Sequence, residues 1–242
     1  MEMTLKTGLQ WTNADSTNFL IAARNALFKA TRDADPSTFP YIRTYSGTKL
    51  CVTQPRPEQV HIEDIAHHLS LLCRFTGAVN KFYSVAEHCV RVSYKCRPED
   101  ELEGLLHDGS EYAYNDMSRP FKRSPGMEGY RMYEHLMTRV IDLKFDLNDE
   151  PDSVKVADTR MLATERRDLY RRYDPVAYNI GEEALPYPEV IDPWTPEEAE
   201  RRFLMRFYEI TGRKEFAFWF DDLPPQEDNF TEWLGDGHVK NV

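Results

Sequence analysis

Apolar residues along most of this chain recur at helical spacing. Phe19, Leu20, Ala23, Leu27 and Phe28 mark one stripe and predict a helix within 15–32, broken by Asp35-Pro36 and Phe39-Pro40. Ile62 to Leu69 begins a second helix that runs to about Phe75. Ser84-Val85-Ala86-Glu87 reads as a capping box, with Ser at the N-cap and Glu at N3, opening a helix that carries His88 to about Cys96. Pro98 suits a first helical position, and Glu99, Asp100 and Glu101 suit the positive end of a helix dipole. That helix is expected to run through Leu102, Leu105 and Leu106 into His107-Asp108-Gly109-Ser110-Glu111. A long helix is expected at 128–144, with Tyr130, Tyr133, Leu136, Met137, Val140 and Ile141 inward and Tyr130, Tyr133 and Phe145 as a core aromatic stripe. Another is expected over 152–172. Thr195-Pro196-Glu197-Glu198, a second capping box, opens a last one to about Ile210.

The period changes only between Tyr41 and Val60. There Ser46-Gly47 signals a turn, Lys49-Leu50-Cys51-Val52 a short strand, and Pro55 and Pro57 its end, as in a hairpin or loop cover. Residues 174–194 read as a Pro-rich connection, and from Phe216 onward mixed aromatics, acids and prolines predict no element. The pattern is that of an all-α domain.

Composition narrows the possibilities. A chain of 242 residues can bury a core without staples. No run approaches the ~20 apolar residues of a membrane span, and Met1-Glu2-Met3-Thr4 lacks the basic start of a secretory signal. A cytoplasmic protein without a membrane partner is expected. Cys51, Cys73, Cys89 and Cys96 form no Cys-x-x-Cys pair and read as reduced, packed side chains. The net charge of −11 argues against nucleic acid as a partner, since such binding draws on phosphate neutralisation. Residues 181–242 hold 15 acidic and 6 basic residues, so the charge excess is concentrated there. A small anionic substrate, which meets only a local field, remains compatible.

The candidate chemistry centres on His107-Asp108-Gly109-Ser110-Glu111. On a helix, His107 and Glu111 are four apart and Asp108 and Glu111 three apart, so all three can face one space. Burying that much unpaired polarity costs several kcal/mol unless a cation compensates it. His88 upstream and Asp158 downstream complete a set of two imidazoles and two carboxylates, a mixed N/O donor set suited to Mn, Co, Fe or Zn. A helix-end ion pair remains the simpler account of His107-Asp108 taken alone.

The order His88, His107-Asp108, Asp158 resembles the HD superfamily of metal-dependent phosphohydrolases. Phe82-Tyr83-Ser84-Val85-Ala86-Glu87-His88, Leu105-Leu106-His107-Asp108-Gly109-Ser110-Glu111 and Val156-Ala157-Asp158 are similar to its 5′-deoxynucleotidase-like branch, as found in bacteria and phages. Ile62-Glu63-Asp64-Ile65-Ala66-His67 and Cys73-Arg74-Phe75 extend the likeness, which spans about 41–172. It implies an HD-domain helical bundle there. Residues 1–40 would form an N-terminal helical extension, and 173–242 an acidic, Pro-rich extension packed on the core. It also implies that His88, His107, Asp108 and Asp158 hold one divalent metal, that Glu111 orients or deprotonates the attacking water, and that Asp116 protonates the leaving 5′-oxygen. Arg74 would grip the phosphate and Phe75 would lie beside the sugar.

Arg119 and Lys122 are further phosphate candidates; with Arg123 they equally fit a solvated loop. Asp116 fits a turn as well as a catalytic acid, and His67 and His68 fit a helix-surface pair as well as an extension of the site. Glu165 is read as pairing with Arg166 or a neighbouring helix. The expected function is hydrolysis of deoxynucleoside 5′-monophosphates. Release of triphosphate from dNTPs is an alternative, and a non-catalytic nucleotide-sensing module is an alternative of another class. A homo-oligomer is expected from the relatives.

Overall fold

A computed structural model describes residues 39–172 and 185–212. Contacts divide the chain into a unit of residues 1–40 and a unit of residues 41–242, and everything below belongs to the second. The helix expected within 15–32, residues 174–184 of the Pro-rich connection and the tail from Phe216 lie outside the described residues.

The described part is mostly helical. Its only sheet among the described residues is a two-stranded hairpin, β1 (Ile42–Arg43) and β2 (Lys49–Leu50), with Ile42 opposite Leu50. Gly47 turns it at φ +85°, a conformation open to glycine. The hairpin is tied down by polar contacts. The buried Asp64 carboxylate accepts from the Ser46 amide at 2.6 Å and from Ser46 Oγ at 2.8 Å. His68 accepts the Tyr45 amide at Nε2, 3.1 Å, while its Nδ1 lies 3.0 Å from the Tyr112 carbonyl.

Among the described residues eight α-helices follow: α1 (Ile62–Leu71), α2 (Val85–Ser93), α3 (Glu101–Leu106), α4 (Glu111–Tyr114), α5 (Arg119–Lys122), α6 (Glu128–Phe145), α7 (Asp152–Leu169) and α8 (Pro196–Thr211). The centre is α2, buried at every position from Val85 to Ser93. A helix that is buried all round has no solvent face, and α1, α3, α7 and α8 pack about this one.

Ser84 caps α2 as expected, its Oγ accepting the Glu87 amide at 3.0 Å. The reciprocal half of the capping box is absent. Glu87 turns instead to Arg91, at 2.9 and 2.6 Å, and to the Trp194 amide at 2.8 Å. The segment before α8 is thereby fastened to the central helix. Tyr130 and Tyr133 are only half-buried, and the inward face of α6 is Leu136, Met137, Val140, Ile141 and Phe145. All four cysteines are free; Cys51, Cys89 and Cys96 are buried. No helix among the described residues is long and apolar enough to cross a membrane.

Candidate metal centre

The expected continuous helix through the His-Asp pair is broken. α3 ends at Leu106, residues 107–110 form turns, and Glu111 starts α4. Gly109 explains the break: its amide donates to the Leu106 carbonyl at 2.8 Å, and a Cβ at this position would meet that same oxygen at 2.8 Å. The turns carry His107 and Asp108 past the end of α3, toward α2 and α7.

There, His88 Nε2 lies 3.2 Å from His107 Nε2, 3.2 Å from Asp158 Oδ1 and 3.6 Å from Asp108 Oδ2. His107 Nε2 lies 3.4 Å from Asp108 Oδ2. Donor atoms of His88, His107 and Asp108 thus fall within 4.8 Å of one another, and this trio could hold a metal ion. Asp158 reaches the cluster through its contact with His88.

The outer nitrogens make the case stronger. His88 Nδ1 faces Glu165 Oε1 at 2.6 Å and His107 Nδ1 faces the Gly104 carbonyl at 2.8 Å. Both partners are acceptors, which favours a proton on each Nδ1 and leaves the two Nε2 atoms to meet each other and the carboxylates. Two Nε2 atoms 3.2 Å apart beside two carboxylates call for positive charge between them, which a proton or a metal ion can supply. This chemistry fits a divalent ion held by nitrogen and oxygen donors.

The electrostatics agree. Burial disfavours the His107 imidazolium, but Asp108 and Asp158 outweigh it and carry His107 up to about 9. For His88, burial and the Arg74 guanidinium work against the cation, yet Glu165 and Asp158 raise its value. Burial pushes Asp108 and Asp158 up, and the two imidazoles more than reverse it. Asp108 ends far below the carboxylate range and Asp158 at about 2.

Above the cluster lies a cavity of about 430 Å³, lined by Asp108, Asp158, Glu111, Asp116, Arg74 and Phe75 among others. Arg119, Lys122, Arg166 and Tyr170 complete its cationic and aromatic walls. Arg74 Nη1 donates to Asp108 Oδ2 at 3.3 Å. Phe75 meets the Tyr170 ring edge to face, with centroids 5.2 Å apart. Lys122 is committed to Glu134 at 2.5 Å, whereas the Arg119 side chain stays unpaired among the described residues. Arg123 is exposed and does not line the cavity.

Glu111 is buried and its Oε2 has no partner. Burial first, then Asp108 and Asp116, push its carboxyl well above the ordinary range. Phe75 and Thr76, at φ +57° and +53°, line the cavity in the left-handed region, and Asn115 at φ +66° precedes Asp116. Such strain in non-glycine residues, about 1–3 kcal/mol each, gathers at functional sites.

All the sequence-selected site residues except the two imidazoles line this cavity, and the imidazoles stand behind Asp108 and Asp158. His67 and His68 do not join them: His67 stacks on Tyr45 at 3.7 Å and pairs with Glu200, while His68 serves the hairpin. Glu165 pairs with a neighbouring helix, one of its two expected partners: it is fully buried and binds His88 of α2, and it also binds Arg74. Its signal lay in the spacing: seven residues after Asp158 on one helix, two turns along the same face.

The described residues thus form a mostly helical protein with a His-His-Asp cluster beneath a cavity lined by both carboxylates and cations. No model of a protein family matches the chain. The uncharacterized protein YfdR of Escherichia coli (strain K12) is 34% identical over 180 residues, covering 73% of this chain and 99% of YfdR. The uncharacterized protein RCAP_rcc00048 of Rhodobacter capsulatus is 36% identical over 114 residues, 43% of this chain and 58% of its own length. The chain belongs to the family of YfdR.

Proposed function

We propose that the protein is a metal-dependent phosphohydrolase of the HD type that cleaves deoxynucleoside 5′-monophosphates to deoxynucleoside and phosphate. One observation carries this reading. Ring nitrogens of two imidazoles and a carboxylate oxygen converge beneath a cavity that also holds an unpartnered Glu111 oxygen and several cations.

His88, His107, Asp108 and Asp158 would hold the ion. When bound, a divalent cation supplies Lewis acidity toward water and toward a phosphoryl oxygen. Arg74 and the unpaired Arg119 orient the phosphate and offset the charge that grows on its oxygens. Glu111, whose Oε2 has no other partner, takes the proton of the attacking water as its carboxylate. As the water oxygen bonds to phosphorus and the bond to the 5′-oxygen breaks, Asp116 relays a proton from solvent to that oxygen. The edge of Phe75 against Tyr170 offers an aromatic wall for the nucleoside.

A second reading, release of triphosphate from dNTPs, draws support from Lys122 and Arg166, cations in the same lining beyond the two arginines assigned to a monophosphate. The test is a product analysis. Protein reconstituted with Mn, Co or Zn is incubated with NMPs, dNMPs and dNTPs, and the products are separated by chromatography. Free phosphate from dNMPs supports the first reading and intact triphosphate from dNTPs the second. Equal rates on ribonucleotides remove the deoxy preference, and no turnover with any of the metals leaves a nucleotide-sensing module.

A further inference from the structure

Glu165 is fully buried on α7, and both of its oxygens are engaged. Oε1 accepts from His88 Nδ1 at 2.6 Å and Oε2 from Arg74 Nη2 at 3.2 Å. Arg74 closes a ring: its other terminal nitrogen, Nη1, donates to Asp108 Oδ2 at 3.3 Å, and Asp108 faces both imidazoles. Its Nε is buried without a partner. One carboxylate therefore grips a metal-ligand histidine with one oxygen and the cavity's innermost arginine with the other.

We propose that Glu165 is a positioning residue that couples cation binding to anion binding in this cavity. The proposal rests on the metal reading of the site and is independent of which phosphate ester is cleaved. Through Oε1 it fixes His88 as the tautomer with a free Nε2 lone pair and raises the basicity of that nitrogen. Through Oε2 it anchors Arg74. A cation that claims the Asp108 oxygen withdraws the acceptor from Arg74 Nη1, while Nη2 stays held by Glu165. Arg74 then keeps its place with Nη1 and Nε turned to an anion. The cation is thus expected to bind first and the anion more tightly afterwards, a reciprocal linkage.

Glu165→Gln separates this from a merely structural buried ion pair. A glutamine can accept from His88 Nδ1 with its one oxygen, but its amide then faces Arg74 donor to donor. The variant is expected to bind Mn²⁺ about 10–100-fold more weakly by titration calorimetry. At saturating Mn²⁺ it should also bind inorganic phosphate less tightly than wild type, and Glu165→Asp, which keeps both acceptors, should recover part of each loss. A folded Glu165→Gln protein, by circular dichroism, with wild-type Mn²⁺ and phosphate affinities overturns the proposal.

Should the variant not fold, the wild type decides by ¹⁵N NMR of the Zn²⁺-loaded protein. A protonated His88 Nδ1 supports the proposal, and a protonated Nε2 overturns it. Wild type that binds Mn²⁺ but hydrolyses no nucleotide removes the proposed reaction and leaves these affinities to be read. Wild type with no affinity for Mn²⁺, Co²⁺ or Zn²⁺ removes both.

Discussion

Glu111 is ill at ease in the metal-free fold: buried, flanked by Asp108 and Asp116, with one oxygen unpartnered. Its carboxyl titrates higher folded than unfolded. Its contribution to stability is therefore greatest below the ordinary glutamate value of about 4.3 and is lost as pH rises through the raised one. Glu111→Gln keeps the shape and removes the charge. In metal-free protein the variant is expected to be more stable at neutral pH, by about 0.5–2 kcal/mol. Paired denaturant melts across pH should show the gap between the two proteins close as acid is added. The same substitution should lower the turnover of metal-loaded enzyme by about 10²–10⁴-fold; a variant that is both no more stable and fully active removes Glu111 from the chemistry. At this scale the sequence was informative. His88, His107, Asp108 and Asp158 stand out because imidazoles and carboxylates on apolar helices are costly without a purpose. For Glu165 the sequence offered Arg166 or a neighbouring helix; that the helix is α2, through His88, and that Arg74 shares the same carboxylate emerge only from the packing.

Elements were legible where capping and periodicity agree, as at Ser84 for α2 and Thr195 for α8. They were illegible where a turn answers to a neighbour. The break after Leu106 depends on Gly109 fitting against a carbonyl and the Ile141 side chain, which no helical periodicity records. Gly104 is a similar case. A Cβ there would lie 2.6 Å from Cys96 Sγ and 3.1 Å from the Ser93 Cα, so α2 and α3 approach as closely as they do because this residue has no side chain. Gly104→Ala is expected to cost about 1–3 kcal/mol by overpacking, even though alanine favours a helix. The Gly104 carbonyl also holds His107 Nδ1, so a shift of α3 should weaken Mn²⁺ binding. Urea denaturation and metal titration of the one variant check both effects, and a protein unchanged in stability would mean that the two helices have room to part.

At the scale of the molecule, a cation that binds only the folded cluster must stabilise the whole chain. At a concentration 100 times its dissociation constant the gain is about 2.7 kcal/mol. Thermal melts with Mn²⁺ should lie above those with chelator, and the difference should vanish in a His88→Ala protein. Charge acts at this scale too. A protein of net charge −11 sets Arg74, Arg119, Lys122 and Arg166 against Asp108, Glu111, Asp116 and Asp158 in its candidate cavity. An anion approaching from far away meets repulsion, and at the cavity a lining in which cations offset the carboxylates. At an ionic strength of about 0.01 M the screening length is about 30 Å and the ligand feels the entire body; at 0.15 M it is about 8 Å and the ligand feels mainly the rim. Capture of a phosphate ester is therefore expected to quicken as salt rises through this range, opposite to the slowing seen when an entire surface attracts its ligand. Stopped-flow association rates against ionic strength would decide it, and a rate that falls steadily with salt would refute it. The net negative charge of the chain thus makes ionic strength a throttle on entry.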